Sequence, residues 1–307
     1  MTGWRIVCDA GGTNLRCARS HGPSQLSDAQ VIASEERTGI ADVLMSYASR
    51  FPDAENLQGA AIAAAGPIED GCVRLTNRDI VIDRAHVSRA LGGKPVALLN
   101  DLEAAALALP ALKEGEMDGL IARANPLNGP RLVINVGTGF GGALLVRTRA
   151  GWHAVACEPG HMTLALPASE AANLSDPVSV EDVISGLTLS DEVRRQRLWS
   201  FAGKFSSTQV GDLFPVCETD ESADSFVLAF SRLLGQVCGD LVLACGAWGG
   251  VHLCGSVASA WSRAGGIRAF QDAFESKGPM TSRMQRVDVN LITANNPVLT
   301  GLCQVPL

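Results

Sequence analysis

An α/β fold with two lobes and duplicated halves is what the sequence predicts, on three observations. Apolar runs of strand length alternate with longer helical patterns, as expected of sheets covered by helices. A strand–glycine–strand theme occurs twice: Arg5-Ile6-Val7-Cys8-Asp9-Ala10-Gly11 is echoed by Arg131-Leu132-Val133-Ile134-Asn135-Val136-Gly137. No Pro- or Ser-rich linker divides the 307 residues into independent domains. Each copy of the theme places a glycine hairpin where it would face a common cleft.

The elements follow in order. Arg5–Cys8 is an apolar run closed by Asp9 and small residues, and strand character resumes over Leu15–Ala18; together they predict a β-hairpin around a glycine turn. Ala60–Ala65 reads as a buried strand stopped by Gly66-Pro67. Val96–Leu99 is another, ending at Asn100-Asp101, both natural caps for the helix that runs from Glu103 to Leu109. The second copy of the theme continues into a strand over Ala143–Arg147. Phe226, Phe230, Leu233, Leu234, Val237 and Leu241 recur at the helical period, predicting a long helix over Ala223–Gly246 with Gly246 as its stop. Val251–Cys254 is a strand leading into Gly255-Ser256, and the chain closes with Asn295-Asn296-Pro297 and a short apolar tail. Ala168–Ser222, richer in Ser, Asp and Arg, gives no assignment.

Composition narrows the function classes. The chain is 47% hydrophobic and 19% charged, which suits a well-buried α/β protein, and its 32 glycines predict many tight turns. A formal net charge of -7 argues against wrapping nucleic acid or resting on an anionic membrane. It leaves room for a phosphate pocket, because backbone amides bind anions without basic side chains. The 9 cysteines form no C-x-x-C pair, which points to reduced, buried thiols in a cytoplasmic protein rather than a disulfide framework or a zinc site. Strand character from Arg5 onward leaves no room for a signal peptide, and no run of about 18 apolar residues suggests a membrane span.

The chemistry-bearing segments are polar and short. In Asp9-Ala10-Gly11-Gly12-Thr13-Asn14 the glycines allow close backbone approach to a bulky anion, and consecutive amides form a concavity for phosphate oxygens. Thr13 and Asn14 add donors, and Asp9 at the strand end could hold Mg²⁺ directly or through water. A plain hairpin turn is the simpler alternative. Gly137-Thr138-Gly139-Phe140-Gly141-Gly142 matches the dinucleotide-binding G-x-G-x-x-G, but that motif needs a helix to begin in the loop, and Ala143-Leu144-Leu145-Val146 reads as a strand. Two glycine hairpins suit a triphosphate better. Asp101, where a strand hands over to a helix, is placed to accept a proton from a substrate hydroxyl during phosphoryl transfer, or simply to cap the helix. Glu158-Pro159-Gly160-His161 sets an acid and an imidazole close together, a combination that pairs with sugar hydroxyls. Glu181 follows in Ser179-Val180-Glu181-Asp182, where a helix first turn also favours acids.

In this order the segments resemble the bacterial glucokinase family, of the sugar kinase, heat-shock ATPase and actin superfamily. The resemblance rests on DAGGTN (9–14), AAGPI (64–68), LTN (75–77), LLNDLEAAALALP (98–110), NVGTGFGG (135–142), EPGH (158–161), SVEDVISG (179–186), GGVHLCGS (249–256) and NNPVLTG (295–301). It spans nearly the whole chain. It implies a two-lobed RNase H-like (actin-like ATPase) fold with duplicated mixed-sheet halves, a small lobe from 1–107 plus 296–307 and a large lobe from 108–295. It implies transfer of the γ-phosphate of ATP to the 6-hydroxyl of glucose, with Asp101 as general base. Asn77, Asn100, Asp101, Glu158, His161 and Glu181 would hold the sugar. Asp9, Gly11, Gly12, Thr13, Asn14, Gly137, Thr138 and Gly139 would hold the phosphates, with Asp9 near Mg²⁺ through water, and Gly255 and Ser256 would lie by the adenosine.

Three positions depart from the family pattern. Pro159 and Ser256 stand where glycine is usual, and Ile80 where an aromatic often follows the Asn77 segment; these bear on sugar preference and nucleotide affinity. The repressor-like relatives carry a cysteine-rich zinc motif near the acid–histidine loop, and Cys157 alone predicts no zinc here. A kinase for another hexose or an N-acetylhexosamine, and a non-catalytic sugar or nucleotide sensor, are the alternatives. The implied partners are a hexose and ATP/ADP, without nucleic acid or membrane, in a cytoplasmic enzyme for which a homodimer is compatible.

Overall fold

A computed structural model describes residues 3–11, 14–23, 25–33, 39–75, 80–165, 177–199, 209–217 and 224–307. The chain divides into two compact units, Met1–Glu114 with Trp152–Ala154 and Ala294–Leu307, and Gly115–Gly151 with Val155–Thr293.

In the first unit, β1 (Trp4–Ala10) pairs antiparallel with β2 (Asn14–Ser20), and β2 with β3 (Leu26–Ala33). On its other side β1 pairs parallel with β4 (Leu57–Ala64). A small antiparallel sheet of β5 (Ile68–Glu69), β6 (Cys72–Arg74) and β7 (Val81–Asp83) intervenes in the chain before β8 (Val96–Asn100) pairs parallel with β4. Strand periodicity divides β1 and β4 between two apolar clusters. Trp4, Ile6, Cys8, Ala60, Ile62 and Ala64 pack with α1 (Ile40–Ala48) and α2 (Arg84–Ala90) on one face. Val7, Ala61 and Ala63 pack with α3 (Asp101–Ala108) and the C-terminal helix (Pro297–Leu302) on the other. Burial on both faces is the condition of a parallel core strand and explains the run of apolar residues in β4. Helix packing is close: a methyl on Gly301 would collide with the Ala104 carbonyl.

In the second unit, β10 (Arg131–Val136) pairs antiparallel with β11 (Phe140–Thr148), and β12 (Gly151–Cys157), of which Gly151 and Val155–Cys157 belong to this unit, lies beside β11. β10 pairs parallel with β13 (Val251–Cys254), which pairs parallel with β14 (Val289–Ile292); β9 (Met117–Ile121) closes that edge antiparallel to β14. The β3-β2-β1-β4-β8 order of the first sheet thus recurs as β12-β11-β10-β13-β14 in the second. This is the duplicated mixed-sheet plan expected of the RNase H-like fold.

The helices of this unit are α4 (Val180–Val183), α5 (Gly186–Ser190), α6 (Glu192–Trp199), α7 (Ser225–Cys245), α8 (Ser256–Trp261), α9 (Ile267–Glu275) and α10 (Thr281–Met284). α4, α5 and α6 fall in the Ser- and Asp-rich stretch that composition leaves unassigned. α7 ends where expected, at Gly246 in the left-handed region with φ 63°. Gly235 and Gly239 admit α9, because side chains there would meet the carbonyls of Phe270 and Phe274. Trp261 Nε1 donates to Ser231 Oγ at 2.8 Å beside them. By length and composition α7 could cross a membrane, where the sequence, with no run of about 18 apolar residues, predicts no span; its apolar stripe is buried in this unit's core. All nine cysteines are free thiols.

Candidate active site

In the first unit, strand register brings the polar segments to one edge. Ala10 of β1 lies opposite Ala64 of β4, and Ala64 opposite Asn100 of β8. Gly11, Gly66 and Asp101 therefore all follow the carboxyl ends of adjacent parallel strands, where ligands of open α/β sheets bind. With strands about 4.8 Å apart, β1 and β8 are roughly 10 Å from each other.

Asn100, not Asp101, is the helix cap. Its Oδ1 accepts from the backbone N–H of Leu102 at 2.9 Å and of Glu103 at 3.4 Å, and Glu103 Oε2 accepts the Asn100 N–H at 3.0 Å. This reciprocal box satisfies backbone donors that the helix start leaves without partners. The Asn100 Nδ2 donates to Gly66 O at 3.3 Å, and the residue is only 8% exposed. A second amide hydrogen is what Asn100 retains to offer a ligand. Asp101 is the first helical residue. Its Oδ1 accepts the Leu102 N–H at 2.9 Å, which sets the plane of the carboxylate at a helix end favourable to negative charge.

Asp9 faces Arg16 across the hairpin, and Arg16 donates to Asp9 Oδ2 at 3.0 Å. Burial raises the Asp9 carboxyl above its ordinary value, and the Arg16 guanidinium opposes that rise. The sequence reading overlooks Arg16, although its place in the second strand of the hairpin is a signal. The Gly11 N–H donates to Asn14 O at 3.1 Å, so this amide closes the turn instead of facing an anion. Asn14 is exposed at the start of β2. Gly12, Thr13 and Asn77 lie outside the described residues.

In the second unit, Asn135 lies opposite Cys254, which sets the Gly137–Gly139 turn beside Gly255-Ser256. Gly255 has φ 98°, and a side chain there would stand 2.5 Å from both Asn135 Oδ1 and Val136 O. Ser256 is the exposed first residue of α8. The strand β11 begins at Phe140, so no helix starts in this glycine loop, as its sequence predicts. The Gly137 N–H donates to Gly139 O at 3.0 Å.

The acid–histidine loop and Glu181 join the same cluster. Pro159–His161 forms one helical turn in which Pro159 and Gly160 are buried while Glu158 and His161 are exposed. Gly160 is required by close approach, since a side chain would collide with Phe140 O. The Val180 N–H donates to Met162 O at 2.9 Å and the Leu164 N–H to Val178 O at 2.8 Å, tying this loop to the start of α4. Ser179 caps α4 in a box with Asp182, whose carboxyl is held below its usual value by the Ser179 N–H and then its hydroxyl. Glu181 is freed from capping, and its Oε2 accepts the Phe140 N–H at 2.7 Å. Sequence reasoning misses this bond, which joins residues far apart in the chain.

Among the described residues no group of three or more His, Cys, Asp and Glu side chains is arranged to hold a metal. Burial pushes the Cys157 thiol up to about 11. Mg²⁺ differs, because it keeps several waters and binds through one or two carboxylates plus phosphates. One ion-paired carboxylate, Asp9, fits a water-mediated contact of that kind.

A family model described as Glucokinase matches residues 6–305. A glucokinase of Nitrobacter hamburgensis is 31% identical over 322 residues, covering 100% of this chain and 98% of that protein. A glucokinase of Chromobacterium violaceum is 32% identical over 313 residues, covering 97% and 88% respectively. The crystal structure of a glucokinase from an Antarctic psychrotroph superposes with a TM-score of 0.83 at 26% identity, over 99% of this chain and 98% of that one. That of Balamuthia mandrillaris glucokinase in complex with glucose has a TM-score of 0.76 at 19% identity, over 98% and 92%, and speaks for the fold. The mixed sheets and these neighbours give the chain the actin-like fold class.

Proposed function

The chain belongs to the glucokinase family, and from that premise we propose that it phosphorylates glucose at the 6-hydroxyl with Asp101 as general base and ATP as donor. The observation that carries this is the placement of Asp101. It leaves the same strand edge as the Asp9–Asn14 turn, with its carboxylate plane set by the helix start. Asp101 receives the hydroxyl proton as the oxygen attacks phosphorus. Its fixed orientation avoids part of the entropic cost of aligning acceptor and alcohol.

Asn100 contributes its remaining amide hydrogen to a sugar oxygen, and Asn77, Glu158, His161 and Glu181 supply further partners. The turns at 9–14 and 137–139 hold phosphate oxygens through backbone amides, and Gly255 and Ser256 lie by the adenosine. Asp9 would hold Mg²⁺ through water; when bound, the ion supplies neutralisation of charge on the transferring phosphoryl group. Residues 1–107 with 296–307 serve as one functional lobe and 108–295 as the other. The enzyme acts in the cytoplasm on small molecules, where a net charge of -7 suits neither nucleic acid nor an anionic membrane, and a homodimer is the proposed assembly.

A coupled assay of ADP release with ATP, Mg²⁺ and a panel of glucose, mannose, fructose and N-acetylglucosamine tests this. Glucose should give the highest kcat/KM. A tenfold or greater preference for another sugar would overturn the assignment of substrate.

A further inference from the structure

We propose that Glu181 is a positioning residue for the Gly137–Gly139 turn, so that the 181–187 segment orients the amides that bind nucleotide phosphate; this rests on the assignment of that turn to phosphate. Three hydrogen bonds join the two segments. Glu181 Oε2 accepts the Phe140 N–H at 2.7 Å, the Gly186 N–H donates to Gly137 O at 2.8 Å, and the Leu187 N–H donates to Thr138 O at 3.0 Å. The turn itself contributes one closing bond, from Gly137 N to Gly139 O.

The direction of these bonds matters more than their number. In a planar trans peptide the carbonyl and the next residue's N–H point in opposite senses. Drawing Gly137 O and Thr138 O toward residues 186–187 turns the Thr138 and Gly139 N–H groups away from them. Successive amides aimed one way form an anion-binding nest. Glu181 fixes the far end of the turn through Phe140. The fit has no slack: a methyl on Gly139 would stand 2.5 Å from Glu181 Oε2, and one on Gly186 would stand 2.8 Å from Gly137 O. A carboxylate next to a phosphate site repels its ligand, so retaining one there calls for a compensating role. Holding the turn supplies it, and the Oε1 oxygen has no hydrogen-bond partner among the described residues.

The test is titration calorimetry of ADP with Mg²⁺, without sugar, on the whole protein and four variants. Glu181→Ala should weaken ADP at least ~10-fold, the scale of one lost charge-assisted hydrogen bond. Glu181→Gln keeps an acceptor for Phe140 and sheds the repelling charge, so its ADP affinity should equal or exceed that of the parent while its KM for glucose rises. A residue that serves only the sugar would leave ADP binding unchanged in both variants, and that result overturns the proposal. Should Glu181→Ala not fold, Gly186→Ala pushes the turn from the same side with the carboxylate intact and should weaken ADP likewise; unchanged affinity there overturns it. Gly139→Ala separates the premises. If it weakens ADP and folded Glu181→Ala does not, the turn binds phosphate and the brace is wrong; if neither changes ADP, the phosphate assignment is lost and the proposal with it.

Discussion

The two glycine turns share a pattern in sequence and differ in what holds them. The turn after β1 is supported from within its own hairpin: Gly11 donates to Asn14 at 3.1 Å, and Asp9 is tied to Arg16 on the facing strand at 3.0 Å. The turn after β10 is held by residues more than a helix away in the chain, Glu181, Gly186 and Leu187. A duplicated fold thus keeps its strand order while its two copies divide between local and distant support. Local support leaves a turn tolerant of small change. Distant support makes it a meeting point of segments, where a methyl has nowhere to go.

Paired substitutions should expose this difference. A methyl on Gly11 would stand 3.1 Å from Asn14 O, whereas one on Gly139 would stand 2.5 Å from the pinned Glu181 Oε2. Gly139→Ala should therefore raise the KM for ATP about tenfold more than Gly11→Ala, a difference on the order of 1–2 kcal/mol. Equal effects in steady-state kinetics would erase the contrast. A smaller effect is expected at Arg16. Arg16→Gln removes a cation that competes for Asp9 Oδ2, and the Mg²⁺ concentration for half-maximal rate should fall roughly fivefold, within the range of partly exposed ion pairs.

Acid should also separate the two units. His252 in β13 is 4% exposed, its Nε2 has no hydrogen-bond partner among the described residues, and burial, with the Arg131 charge second, lowers its pKa to about 3. The folded value lies below the unfolded one. Stability is therefore full above pH ~6.5 and falls as pH drops toward ~3, by ~1 kcal/mol per pH unit where the unfolded chain alone is protonated. Hydrogen exchange should show the β10–β13–β14 sheet losing protection on acidification before the β1–β4–β8 sheet, and His252→Gln should flatten the dependence. Uniform loss in both sheets would count against it. The smallest effect belongs to Glu103→Ala, which breaks the α3 capping box and should lower stability by about 0.5–1 kcal/mol in thermal unfolding.

What the sequence discloses follows this division. The first hairpin, the β8–α3 junction, α7 and its Gly246 stop lie within local windows where periodicity and capping speak directly. The Asn100–Glu103 box is equally local and was open to the same logic. So was the hairpin at Asp70-Gly71, whose φ angles of 50° and 77° suit a two-residue turn, and which the strand reading overlooks because β5 and β6 are so short. Register is different. That Ala10, Ala64 and Asn100 align across three strands, or that Glu181 reaches Phe140, depends on pairings between distant segments. The family resemblance names Glu181 as a sugar residue, and only the fold shows what its other oxygen holds.

The most direct test of the whole account is a single-turnover measurement with Asp101→Asn, an isosteric change that removes the proton acceptor. Its affinity for glucose and its thermal midpoint should match the parent within error, while phosphoryl transfer slows at least ~100-fold, the scale of general-base catalysis. A folded Asp101→Asn protein that binds glucose and transfers phosphate at the parent rate would contradict it.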